Sequence, residues 1–192
     1  MIPSGFSARL LRVAGVSAVS LLAACIQPKP LPEMGAAPSF DLTAQSGAAF
    51  PSHSLDGHVW VADFVYTSCT GPCPLMSRDM HQIQTLTAEF RDVKLISFTV
   101  DPAHDSPPVL AEYAKHFQYD PARWSFLTGD QAHLNLVGLG FKLNSVDGST
   151  THSTRFALVD RRQHIRGYYM SSDDGFIQHL VHDIRQLERE AS

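Results

Sequence analysis

The stretch "HVWVADFVYTSCTGPCPLM", His58 to Met76, decides the fold. Its first half is β-branched, aromatic and almost wholly apolar, as expected of a strand buried on both faces in a parallel sheet. Its second half places Cys69 and Cys73 four residues apart, with Gly71 and Pro72 between them and Pro74 directly after. A residue before proline is biased out of the α region, so the segment reads as a loop from Ser68 to Cys73 and a helix opening at Pro74. Cys73 is then the N-cap, its sulfur near the unpaired amides of the first turn, where a thiol pKa is lowered. Met76, Met80, Ile83, Leu86 and Phe90 recur at helical steps and carry the helix to Phe90.

Outward from this unit the pattern repeats. "VKLISFTV" and "RWSFLTG" read as buried strands, each followed by a helical stretch, "VLAEYAKHF" and "DQAHLNLVGLGF". "STRFALVD" and "HIRGYYM" form an antiparallel hairpin across "RRQ", and a last helix runs from Asp174 to about Arg189. Upstream, "PSFDLTAQSGAAF" turns at Gly47 as a small hairpin. Strands alternating with helices predict an α/β chain with a parallel central sheet. The plan is a thioredoxin-like fold with an N-terminal β-hairpin and a C-terminal antiparallel hairpin insertion. The cysteines fall beyond the C-terminal end of the first central strand, where open α/β sheets place their sites.

The N-terminal residues lie outside this plan. Arg9 and Arg12 precede an apolar run from Val13 to Ala24, the length of a signal-peptide core and too short for a comfortable membrane span. It ends in "LAAC", which resembles the lipobox of bacterial lipoproteins, with Cys25 as the acylated residue. The expected division is a signal peptide over 1–24, a lipid-anchored flexible linker over 25–38, and the folded domain over 39–192. This implies a bacterial cell envelope protein, facing the periplasm and tethered to a membrane. Ile26 supplies no inner-membrane retention aspartate. A net charge of −4 and a pI near 6.2 offer no basic surface for nucleic acid.

Of three cysteines, lipidation of Cys25 leaves Cys69 and Cys73 as a pair in an oxidising compartment. Their spacing permits a disulfide and equally permits two thiolates to converge on one soft metal ion. Structural zinc and iron–sulfur clusters want four protein ligands, which two cysteines do not supply. Copper accepts fewer. A merely structural pair is the bland alternative. Nothing in spacing singles out one of the ten histidines as a further ligand.

"ADFVYTSCTGPCPLM", "TVDPAHDSPPVLAEYAKHF", "WSFLTG" and "THSTRFALVD" occur in an order and spacing similar to the Sco (SenC) family. Its members are thioredoxin-fold copper-binding proteins linked to assembly of the Cu(A) centre of cytochrome c oxidase. The resemblance runs from about Ser39 to the C-terminus. It implies copper, as Cu(I) or Cu(II), held by Cys69, Cys73 and His152. It also implies a partner in cytochrome c oxidase subunit II or another copper-accepting exported protein. Binding would be gated by a Cys69–Cys73 dithiol/disulfide switch. The alternative is a thiol–disulfide reductase acting on the oxidase copper-site cysteines or another exported protein. The motif departs from the commoner "CPDVC" of the family: "CTGPC" lacks the acidic residue, and its Gly-Pro is similar to the redox motif of thioredoxins.

Asp63, six residues before Cys69 in an apolar strand, is either a proton carrier for thiol exchange or a hydrogen-bonded structural carboxylate. Asp101 and Asp105 match an Asp-Pro-x-x-Asp loop of the family and would orient the site, or simply cap the loop. Met76 and Met80 read as core. Peroxidase activity, known on this fold, lacks its Pro-x-x-x-Thr-x-x-Cys signature here.

Overall fold

The computed structural model describes residues 29–142 and 154–190. β1 (Asp41–Ala44) and β2 (Ala49–Pro51) form the N-terminal hairpin. It turns at Gly47, whose φ of +82° suits a residue without Cβ. Then β3 (Trp60–Val65), α1 (Pro72–Leu86), β4 (Lys94–Thr99), α2 (Pro107–Lys115), β5 (Trp124–Thr128) and α3 (Gln131–Gly140) alternate. β6 (Arg155–Val159) and β7 (Ile165–Met170) make the second hairpin, and α4 (Phe176–Glu190) follows.

The seven strands form one sheet in the order β2-β1-β5-β4-β3-β6-β7. β3, β4 and β5 are parallel; β1 and β6 flank them antiparallel. The architecture is the predicted α/β, thioredoxin-like one. All six residues of β3 are buried because helices cover both of its faces. Trp60, Ala62 and Phe64 meet Phe98, Leu134, Val137 and Phe141 on the α3 side. Val61 meets Met76, Met80 and Ile83 of α1 with Leu180 and Ile184 of α4 on the other. Strand alternation puts Asp63 on this α1 face. Each large side chain buried here contributes about 1.5–3 kcal/mol, which is why this strand sits at the centre. The parallel strands end together at Val65, Thr99 and Thr128, and that pole carries the cysteine loop.

Two boundaries of α1 differ from expectation. The helix opens at Pro72 rather than Pro74, with Gly71 as its N-cap, so Cys73 is the second helical residue and not the cap. The first turn's amides have no intrahelical acceptor in any case, so prolines at its first and third positions lose nothing there. The helix stops at Leu86, short of Phe90. The Thr87 hydroxyl donates to the Ile83 carbonyl at 2.7 Å and accepts from Arg123 Nη2 at 2.8 Å. Arg123 Nη1 also takes the Gln84 carbonyl at 2.9 Å, so the last turn is held by a cation from outside the helix.

The proline-rich tract expected to be a flexible linker is docked from Lys29 onward. Met34 and Ala37 donate backbone hydrogen bonds to Ile165 and Gln163, and Ile165 donates to Gly35, each at 2.8 Å. The buried Arg166 donates to the carbonyls of Leu31 (2.6 Å) and Pro32 (3.0 Å) and pairs with Asp160 at 2.7 Å. Gln186 of α4 donates to the Lys29 carbonyl at 2.8 Å. The segment is a strap across the start of β7 and the lower end of α4. Every group that holds it lies at the pole opposite the cysteines.

Candidate metal and redox site

Cys69 lies in the loop after β3 and Cys73 in the first turn of α1; both are free thiols and both are buried. They pack with Val65 and against Tyr66 in a small cluster of their own. The two thiols hydrogen-bond to each other, and they are not electrostatically alike. Burial pushes the Cys69 thiol up, but hydrogen bonds from the Cys73 thiol, the amides of Cys73 and Gly71, and the Tyr66 hydroxyl outweigh it, so its pKa is lowered. Burial pushes Cys73 up to about 12, and its hydrogen bond to Cys69 adds to the rise. The lowered thiol is therefore Cys69, not the Cys73 expected at the helix start. A helix N-terminus favours thiolate only where solvation or donors accompany it. Cys73 faces inward and spends its proton on Cys69.

Asp63 is fully buried below this pair, and neither carboxyl oxygen meets a partner at full hydrogen-bond geometry. Burial raises its pKa to about 7; the Ser97 hydroxyl opposes the rise and the charge of Asp79 adds to it. Asp63 in turn is one of the charges that push Cys73 up. A buried carboxyl raised to about 7, near enough to push Cys73 up, suits a proton carrier, while its interaction with the Ser97 hydroxyl is what a structural carboxylate would use.

Asp105 is also fully buried, and it is fully engaged. It accepts from the Thr67 amide at 3.2 Å, from the Thr67 hydroxyl, and from the Thr99 hydroxyl. Thr99 in turn accepts from the Asp101 amide at 3.0 Å. The loop after β4 is thereby stitched to the base of the cysteine loop. Asp101 points outward to His104 at 2.8 Å, and this hydrogen bond raises the imidazole pKa. Asp105 thus ties down the base of the cysteine loop, whereas the hydrogen bonds of Asp101 run to Thr99 and His104. Thr67, Thr99 and Tyr66 carry no spacing signal in the sequence, and tertiary contact alone reveals them.

Met76 and Met80 are fully buried in the core. His152 and Cys25 lie outside the described residues. Beside Pro74, an open groove of about 470 Å³ lies between α1 and α2, walled by Arg78, His81, Tyr113, His116 and Phe117. Glu33, Asp160 and His164 converge at the far pole. There Arg162 and Arg166 already neutralise the two acids, at 2.6 and 2.7 Å. Among the described residues, no helix is long and apolar enough to cross a membrane.

Comparison with known proteins accords with this geometry. A protein of Bacillus subtilis, a SCO1 homologue, is 42% identical over 91 residues, 47% of each chain, so the match spans about half of that relative. A protein of Stutzerimonas stutzeri named for copper binding is 30% identical over 147 residues, covering 72% of this chain and 71% of its own. The solved structure of BsSco, a member of the Sco family of cytochrome c oxidase assembly proteins studied for its disulfide switch, superposes with a TM-score of 0.73. It is 30% identical and covers 85% of this chain and 98% of its own. The SCO1/SenC family model matches residues 29–188, strap included, and this chain belongs to the SCO1/SenC family.

Proposed function

We propose that the chain is a lipid-anchored copper metallochaperone that serves the Cu(A) site of cytochrome c oxidase subunit II. Its copper cargo is held by Cys69 and Cys73, with the His152 imidazole as third donor and Cys25 carrying the lipid. The observation that carries this is a pair of buried thiols in hydrogen-bond contact, one drawn toward thiolate, on a loop pinned at the strand ends. Two soft sulfurs and an imidazole suit copper and fall short of a structural zinc set. The relative named for copper binding and the oxidase-assembly role of BsSco support the same assignment. Oxidation joins the two sulfurs, releases two protons and two electrons to an oxidant of the exterior compartment, and removes both donors at once. The redox state then gates the cargo.

Anaerobic Cu(I) titration of the reduced protein, repeated on the disulfide form, tests this. Uptake of about one equivalent by the dithiol and none by the disulfide is expected. Equal uptake by both forms ends the proposal. Cys69→Ser and Cys73→Ser each abolish tight binding, and His152→Ala weakens it, chiefly for Cu(II).

The same pair also suits thiol–disulfide exchange, favoured by the asymmetry of the thiols and by Asp63. The Cys69 thiolate would attack a client disulfide, and Cys73, losing its proton toward Asp63, would resolve the mixed disulfide. A potential near that of thioredoxin, about −270 mV, with no copper affinity would make exchange the main role.

A further inference from the structure

We propose that the pole opposite the cysteines rests on the membrane surface, with the cysteine pair presented away from the bilayer. This orientation builds on the lipid anchor at Cys25 proposed above. The strap fixes where the chain leaves the domain. It pairs with Gln163, His164 and Ile165; Ile165 is in register with Val159, and Val159 with Trp60 at the start of β3. The cysteines follow the other end of β3. The five steps between the strand's first and last residues, at ~3.3 Å each, separate the poles by about 17 Å before the cysteine loop is added.

Only four residue steps separate Cys25 from Lys29, whose carbonyl is held by Gln186. Their full reach is about 14 Å. A lipid on Cys25 therefore cannot be seated in a bilayer that the cysteine pole faces, because the strap would then stand farther from the membrane than the tether extends. The same tether reaches easily when the strap pole is down.

That pole is dressed for an interface. Met34 of the strap is 41% exposed and Leu139, at the lower end of α3, 59% exposed. The two elements adjoin: a Cβ on Gly140 would stand 2.6 Å from Pro38, and Lys142 Nζ lies 3.4 Å from the Met34 carbonyl. Leu136, one helical turn above, continues the apolar stripe. Exposed thioether and leucine side chains beside a lysine match the acyl–headgroup boundary, where apolar groups dip in and an ammonium meets phosphate. Leu75, exposed at the cysteine pole beside Pro74, faces the opposite way and serves as the control.

The test uses full-length lipidated protein in vesicles of phosphatidylethanolamine and phosphatidylglycerol doped with a doxyl lipid. A fluorescent amino acid replaces Leu139 or Leu75. Quenching at position 139 is expected to exceed that at 75 by about threefold or more. Inserting about twenty Gly/Ser residues before Lys29 should erase the difference by lengthening the tether. Equal quenching, or more at 75, in protein that still floats with the vesicles overturns the orientation alone. Protein that does not float, and whose mature N-terminal peptide carries no acyl mass, overturns the anchor and the orientation together.

Discussion

The carboxylate of Asp105 takes hydrogen bonds from both the amide and the hydroxyl of Thr67, two residues before Cys69 and 38 residues away in sequence. A third bond, from the Thr99 hydroxyl, ties the same carboxylate to the end of β4. Removing it strands two hydroxyls and an amide in a buried place. Asp105→Ala is expected to cost about 2–4 kcal/mol and to loosen the cysteine loop. A lower urea midpoint, together with faster alkylation of Cys73, is the expected result. An unchanged midpoint would show that Asp105 anchors nothing.

Selective alkylation reads the thiol asymmetry directly. Cys69 is drawn toward thiolate while Cys73 is pushed up to about 12. Iodoacetamide at neutral pH should modify Cys69 faster than Cys73 by roughly tenfold or more, since the thiolate is the reacting form. Peptide mass mapping of briefly treated, reduced protein gives the ratio. Equal rates, or Cys73 reacting first, would reverse the assignment of the attacking sulfur.

Asp63 makes stability depend on pH in a stated direction. Its folded pKa of about 7 lies above the ordinary 3.8, because burial disfavours the charge. Folding therefore takes up a proton between these values. The stabilisation is full below about pH 4 and is lost as pH rises through about 7. The loss is on the order of a few kcal/mol. Denaturant midpoints of the reduced protein from pH 4 to 8 should fall with pH, and Asp63→Asn should flatten that slope. If the two proteins show parallel slopes, the carboxyl does not titrate there.

Arg166 is buried between Asp160 and the strap. Arg166→Ala leaves the buried Asp160 with only the more distant Arg162, at 3.9 Å, as a cation and frees the carbonyls of Leu31 and Pro32. A loss of about 3–5 kcal/mol is expected, with faster hydrogen exchange at the Met34 amide, which bonds to Ile165. Retained protection at Met34 would mean that the backbone pairing alone holds the strap.

The central strand, the alternation of strands and helices, and the place of Cys69 and Cys73 were legible in the chain, because they rest on local patterning. A strand covered on both faces must be apolar throughout, and "VWVADFV" announces it. Asp63 stood out for the same reason, as the one charge in that run. The end of α1 was not legible: Phe90 continues the periodicity, and the stop depends on Arg123, which arrives from the start of β5. The strap was hidden too, since a tract of prolines shows nothing of the buried arginine that awaits its carbonyls.

Sequence alone thus determined the fold class and named the two sulfurs, since hydrophobic period and residue chemistry are carried by neighbours along the chain. Tertiary structure decided which sulfur has the lowered pKa, what pins its loop, and at which pole the N-terminal segment leaves. Those outcomes follow from burial and from partners such as Tyr66, Asp105 and Arg166, brought together across long stretches of chain. The free energy of a charge is set by the groups around it in space rather than by those beside it in sequence.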